Sequence, residues 1–199
     1  MQFLIEAGVV LLAYALGSIP FGLLVVKLST GKDIRQVASG RTGGTNAGRA
    51  AGTWAGIVTG VLDGLKGAAA VWIAQAVSPA NHWLHIIAPI AAILGHNYSL
   101  FIIERDEQGR LRMRGGAGGG PAAGGAVGLW WPAGFIIVPI GALVFVGIGY
   151  ASITTLSIAV ITIAIFTVRY LHGLSPFPDV VYGIVTPVSS PVTTLLELL

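Results

Sequence analysis

Between Val127 and Val168 the chain contains no Asp, Glu, Lys or Arg. Few folds can house an apolar run of that length. A helix crosses a bilayer with about 20 apolar residues, and backbone amides in hydrocarbon must be satisfied internally, which leaves helices and closed barrels. The run is long enough for two crossing helices, with a turn expected near Gly147-Ile148-Gly149. Comparable runs extend from Ala7 to Leu28, from Thr53 to Val77 and from Trp83 to Ile103. The first is broken by Gly17, Ser18 and Pro20, and the second contains Asp63 and Lys66. A last stretch, Val180 to Leu199, is interrupted by Pro187 and Pro191 and reads as one kinked span or two short re-entrant pieces. Charged residues make up 10% of the chain, against about 25% in soluble domains, so a water-soluble globule is excluded. The expected fold is all-α: a polytopic membrane helical bundle forming one domain over residues 1–199. It would have about five full spans, or up to about seven with short or re-entrant helices.

The charges sort by loop. Lys27, Lys32, Arg35, Arg41 and Arg49 cluster around the first loop, opposed by Asp33. Arg105, Arg110, Arg112 and Arg114 share the second long loop with Glu104, Asp106 and Glu107, and Arg169 opens a third polar stretch. The connections near Ser78–Asn81 and Gly147–Tyr150 carry no charge. By the positive-inside rule the charged loops are cytoplasmic, Arg169 lies with them, and the N-terminus is outside. Ala13-Tyr14-Ala15 has the form of a signal-peptidase site. Glu6, the lack of Lys or Arg before it and the apolar sequence beyond it argue against cleavage. The expected location is a bacterial-type plasma membrane with the active site facing the cytoplasm.

Three features go beyond what spanning a bilayer requires. The loop Ser39-Gly40-Arg41-Thr42-Gly43-Gly44-Thr45-Asn46-Ala47-Gly48-Arg49 combines small residues with two guanidinium groups. Small residues allow close backbone approach and anion nests, and Arg forks suit phosphate. Arg112 and Arg114 then run into Gly115-Gly116-Ala117-Gly118-Gly119-Gly120, a stretch expected to lead into a helix. Free amides at a helix N-terminus attract phosphate, whereas tight helix packing is the plainer reading of the glycines after Gly118. The third feature is Asp63 and Lys66, three residues apart and so on one helix face, either neutralising each other or lining a polar cavity.

Other chemistries are absent from the sequence. Without Cys there is no thiolate nucleophile or disulfide, and no H-E-x-x-H motif occurs. No metal or cofactor site and no nucleic-acid motif emerges. The second glycine stretch has no Lys after its glycines and so is not a Walker-type loop. The H-x-x-x-x-D acyltransferase pattern also fails, because His82, His85, His96 and His172 are followed at that distance by Ile87, Ile90, Phe101 and Phe177.

Together these residues resemble the bacterial acyl-phosphate:glycerol-3-phosphate acyltransferase family. The likeness is closest over GSIPFGLLVVKLSTGKDIR, SGRTGGTNAGRAAG and LDGLKGA, between Gly17 and Ala68. These stretches follow the family's GSIPFG, K-x-x-G-x-D-I-R, S-G-N-x-G-x-T-N-x-x-R and D-x-x-K-G in order and spacing. Gly95-His96 followed by RGGAGG is similar to the family's G-H and K-G-G-K-G signature. The resemblance implies a membrane bundle that transfers an acyl group from acyl phosphate to the 1-hydroxyl of glycerol 3-phosphate, giving lysophosphatidate for phospholipid biosynthesis. On it, Ser39, Asn46 and His96 are the candidate catalytic residues. Ser39, Gly40, Arg41, Thr45, Asn46, Arg49, Lys66, Arg114, Gly115, Gly116 and Gly118 form the candidate phosphate-binding set, with Ser18 and Asp63 in supporting positions. The partners implied are acyl phosphate, glycerol 3-phosphate and membrane lipid.

The chain departs from that pattern in places. Arg41 stands where the family has Asn, Gly44 where it usually has Ala, and Ala117 where it has the second Lys of K-G-G-K-G. Arg114 keeps a cation at the first. A polar insertion, ERDEQGRLRM, separates His96 from the glycines, and of the third signature only Arg169 remains. Two other classes fit some of the same residues: a non-catalytic phosphate-lipid-binding descendant, and a small carrier of anionic metabolites.

Overall fold

The structure, a computed structural model, describes residues 1–105 and 108–173; the expected last span, Val180 to Leu199, lies outside them. Helix α1 (Gln2–Ser18) and α2 (Phe21–Thr30) are separated at Ile19-Pro20. Proline lacks an N–H and pushes the residue before it out of helical geometry, and Ile19 accordingly has ψ 117°. A 3-10 turn at Ile34–Gln36 leads to α3 (Gly44–Ala51), and α4 (Thr53–Val77) follows with the bounds expected from its apolar run. Next come α5 (His82–Asn97), strands β1 (Ile103–Arg105) and β2 (Leu111–Met113), α6 (Gly119–Leu129), α7 (Gly134–Ile148) and α8 (Ala151–Leu171). Among the described residues, four segments are long and apolar enough to cross a membrane: Gln2–Thr30, Thr53–Val77, Trp131–Ile148 and Ala151–Leu171.

One expectation needs correction. The span expected over Trp83 to Ile103 stops at Asn97, about 24 Å of helix and short of a bilayer core of about 30 Å. Ser99 ends it: its hydroxyl is turned back onto the Ser18 carbonyl of α1 and accepts a hydrogen bond from the Phe101 amide at 3.1 Å. The helical bundle is as expected, with one small addition. The polar insertion folds into an antiparallel hairpin in which Ile103 pairs with Met113, Glu104 with Arg112 and Arg105 with Leu111. Alternation along a strand puts Ile103, Arg105, Leu111 and Met113 on one face, and Glu104 and Arg112 on the other.

Small residues set the packing. Hydrocarbon gives no hydrophobic drive between helices, so close backbone approach takes its place. A Cβ on Gly17 of α1 would overlap the Ala92 carbonyl of α5, and one on Gly95 of α5 would overlap the Tyr14 carbonyl. Along the α4–α6 seam, Gly67 meets the Pro121 carbonyl and Gly124 the Gly64 carbonyl. The α7–α8 pair is packed far less: α7 buries only Ile137 and Gly141, and α8 buries no residue.

The glycine-rich helix α6 reorganises the sidedness of the chain. Gly119 at its start lies against Thr155 near the start of α8, and Trp130 just beyond its end lies 4.1 Å under the Arg169 guanidinium near the end of α8. Helices α6 and α8 therefore run parallel, with α7 returning between them. This places the Gly147–Tyr150 connection at the same end of the bundle as the glycine loop before α6, and Arg169 at the other end. The alternation read from hydropathy had the reverse, because a helix of 11 residues built mostly from Gly and Ala escapes a window of about 20.

Candidate active site

The buried centre of the bundle is polar. Asp63 and Lys66 of α4 form an ion pair at 2.9 Å, both side chains only 3% exposed. The Lys66 ammonium also donates to the Ile19 carbonyl at 3.0 Å and stands 5.6 Å from the centre of the Phe21 ring. His96 of α5 brings Nδ1 to 3.5 Å from the Asp63 carboxylate, and its ring lies against Gly116, where a Cβ would overlap Nε2. The α1–α2 break frees the carbonyls of Ser18 and Ile19 from helical partners. Ser99 and Lys66 satisfy one each. Ser18 donates its hydroxyl to the Tyr14 carbonyl at 2.9 Å, and the Tyr14 hydroxyl donates to the Tyr98 carbonyl at 2.6 Å.

The first glycine loop is held from inside. Gly40 has φ 66°, in the left-handed region that glycine tolerates, and its amide donates to the Val37 carbonyl at 2.9 Å. Asn46, 2% exposed, reaches the carbonyls of Ile34, Val37 and Arg41 through Nδ2 at 3.0, 2.9 and 2.9 Å. Its amide nitrogen thus shapes the loop. Ser39 is exposed and accepts from the Arg41 amide at 3.4 Å. Thr45 is half-buried in the first turn of α3, and Arg49 is exposed in its last turn. Neither Arg41 nor Arg49 has an ion-pair partner among the described residues.

The second glycine loop closes against the first. The Gly116 amide donates to the His96 carbonyl at 2.9 Å, and the Thr42 amide donates to the Gly115 carbonyl at 3.5 Å. Gly118, at φ 83°, is the residue from which α6 starts. The Arg114 guanidinium lies over Gly40, with Nη2 3.1 Å from where a Cβ would stand. Gly40, His96, Arg114, Gly115 and Gly116 are thus brought together. Ser39, Arg41, Thr45 and Arg49 make no hydrogen bond to the second loop, and Lys66 is engaged below it with Asp63 and Ile19. Gly120, one residue into α6, packs on the Asp63 side chain, so the positive end of that helix faces a carboxylate.

Sequence reasoning passed over four contributors: Thr42, Ser99, Arg35 and Glu104. Arg35 pairs with Asp33 at 2.6 Å and, across the loops, with Glu104 at 3.1 Å; Glu104 in turn pairs with Arg114 at 3.2 Å. The hydrogen bonds from Arg35 hold the Asp33 carboxyl down at about 2. In the sequence the D-I-R run reads as part of the family resemblance and its charges as topology, without a pairing between Asp33 and Arg35.

The sequence profile of the glycerol-3-phosphate acyltransferase family matches residues 7–196. The chain belongs to that family. It is 35% identical over 182 residues to a glycerol-3-phosphate acyltransferase of Rubrobacter xylanophilus, covering 92% of this chain and 84% of the relative. A second relative so named, from Rhodopseudomonas palustris strain HaA2, is 34% identical over 158 residues, covering 79% and 75%. Among solved structures, the glycerol 3-phosphate form of PlsY, an integral membrane glycerol 3-phosphate acyltransferase, superposes with a TM-score of 0.65. It is 30% identical and covers 84% of this chain and 78% of that one. The lysophosphatidic acid form gives 0.62 at 28% identity, covering 84% and 77%. The chain is accordingly an integral-membrane acyltransferase by family.

Proposed function

We propose that this acyltransferase moves an acyl group from acyl phosphate to the 1-hydroxyl of glycerol 3-phosphate, releasing phosphate and lysophosphatidate at the cytoplasmic face. The observation that carries the reading is the meeting of the two glycine loops, with Arg114 over Gly40 and the Thr42 amide on the Gly115 carbonyl. Two phosphates must be held together for this chemistry. Amides of small residues and the exposed guanidinium groups of Arg41, Arg49 and Arg114 are groups of the right sign and shape to hold them. Arg114 and Arg41 supply cations that Ala117 does not.

The donor is already activated, so positioning and charge shielding account for most of the catalysis asked of the protein. The carbonyl carbon of the acyl phosphate accepts the hydroxyl oxygen, the C–O bond to phosphate breaks, and phosphate leaves with the bonding electrons. The hydroxyl proton goes to a nearby base. His96 is 5% exposed and lies between Asp63 and Gly116, which favours the acceptor's own phosphate for that role and leaves His96 to position the second loop. Ser39 and Asn46 act in this reading through the shape of the first loop, and Ser39 also offers its hydroxyl to phosphate.

The test is direct. Purified protein given acyl phosphate and glycerol 3-phosphate should form lysophosphatidate and release one phosphate per turnover; formation from acyl thioesters alone would overturn the donor assignment. Arg49→Ala should raise KM for glycerol 3-phosphate roughly tenfold, the cost of losing a charged hydrogen-bond partner of about 1.4 kcal/mol, with an unchanged melting temperature. Unchanged kinetics would remove α3 from the site.

A further inference from the structure

The insertion between His96 and the second glycine loop has no part in the family pattern described above, yet it carries the carboxylate that joins the two loops. Glu104 on β1 places Oε1 3.1 Å from Arg35 Nη1 and Oε2 3.2 Å from Arg114 Nη1. The two guanidinium groups differ in what remains open. Arg35 has all three nitrogens engaged: Nε and Nη2 bind Asp33, at 2.9 Å to Oδ1 and 2.6 Å to Oδ2, and Nη1 binds Glu104. Arg114 gives Glu104 one nitrogen, Nη1. Its Nη2 lies over Gly40, and a guanidinium has five N–H donors in a fixed fork, so donors remain for a ligand. Its side chain is 48% exposed and lines a cleft of about 790 Å³ together with Tyr98, Glu104, Arg112 and Met113. One end of the ionic chain is therefore closed on Asp33, and the other is open to an anion.

We propose that Glu104 is a positioning residue for the substrate phosphate, fixing the Arg114 guanidinium against the Gly40 backbone so that its remaining donors face the bound phosphate. The proposal rests on the reading of the two loops as a phosphate site. A free Arg side chain has many rotamers to lose on binding, and a carboxylate anchored to the neighbouring loop through Arg35 removes that freedom before substrate arrives. The hairpin thus provides the orientation that a lysine within the glycine loop would not need.

The experiment measures KM and kcat for glycerol 3-phosphate with acyl phosphate as donor, in detergent-purified full-length protein, for Glu104→Ala, Glu104→Gln, Arg114→Ala and the Glu104→Ala/Arg114→Ala double variant. Glu104→Ala and Arg114→Ala should each raise KM roughly fivefold or more, in the range of one charged hydrogen bond, with kcat within about twofold. The double variant should be no worse than Arg114→Ala alone, because Glu104 acts through Arg114. Glu104→Gln keeps one acceptor oxygen and should fall between wild type and Glu104→Ala, which carries the test should the alanine variant fold poorly. A lower KM in Glu104→Ala would show the carboxylate competing with substrate and overturn the proposal, as would effects that multiply in the double variant. Unchanged KM in Glu104→Ala beside a raised KM in Arg114→Ala overturns the proposal alone. Unchanged KM in Arg114→Ala overturns the phosphate-site reading of that loop and the proposal with it.

Discussion

Two ionic clusters hold this protein together, and they differ in what surrounds them. Asp63, Lys66 and His96 lie inside the bundle with side chains 3–4% exposed. Asp33, Arg35, Glu104 and Arg114 lie between the loops, with side chains 27–48% exposed. The inner cluster joins the α1–α2 break, the middle of α4, the end of α5 and the second glycine loop. Its strength lies in the penalty for breaking it, since removing one partner strands a charge and a carbonyl where water cannot compensate. The outer cluster is bathed in solvent, where an exposed pair contributes about 0.2–1 kcal/mol. Its value is orientation. Similar pairs of residues therefore do different work: one group fixes the floor of the site, and the other aims side chains across its mouth.

The sharpest way to break this contrast is at Lys66. Lys66→Ala should cost about 3–5 kcal/mol of stability, as expected for an uncompensated buried charge, and should appear as a large drop in melting temperature in detergent. Asp63→Leu/Lys66→Met should recover much of that loss while leaving the Ile19 carbonyl unpaired. A Lys66→Ala protein that melts like wild type would mean the inner pair is solvated after all. A smaller effect belongs to Asp33. Its folded pKa of about 2 lies below the ordinary 3.8, so its contribution is present above pH 4 and is lost as pH falls from about 4 through about 2. The advantage of wild type over Asp33→Asn should be about 0.2–1 kcal/mol near pH 6 and should vanish only as pH falls well below about 2. An advantage that persists there would place Asp33 in a different partnership.

A labelling experiment sharpens the architecture rather than the energetics. The parallel course of α6 and α8 puts residue 148 at the same end of the bundle as the loops around residues 36 and 108. Single Cys substitutions at all three, in a chain with no native Cys, should react with an impermeant reagent from the same side of the membrane. Labelling of position 148 from the opposite side would restore the alternation read from hydropathy.

Much of the bundle was legible because apolar length and proline act locally. The break at Pro20, the bounds of α4 and the turn before Tyr150 all follow from runs of side chains along one stretch of chain. Helix α6 was legible only in part. The glycine stretch reads as leading into a tightly packed helix, but not as a separate helix that reverses the chain, since its membrane fitness comes from backbones touching at Gly67, Pro121 and Gly124, a property of two helices together. The hairpin escaped because three-residue strands leave too short an alternation to read. In the site, the composition of each glycine loop was visible, and their meeting was not. Gly40 and Arg114 are far apart in sequence, and the side chain that aligns them, Glu104, lay in a stretch that looked like loop charge alone.

The break between α1 and α2 has a consequence for where an acyl chain can travel. Helix α1 stops at Ser18, α5 stops at Asn97 and α6 starts at Gly119, all beside Asp63 and Lys66. That height is about 15 Å along α4 from its first residue, at 1.5 Å per residue. Three helix ends meeting at such a depth sink the polar floor below the rim formed by α2, α3 and the start of α4. In the proposed reaction an acyl tail would approach that floor sideways between helices and remain in hydrocarbon throughout. Each methylene pulled into water would otherwise cost about 0.8 kcal/mol, so for a long chain the sunken floor removes a desorption barrier that no loop residue could offset.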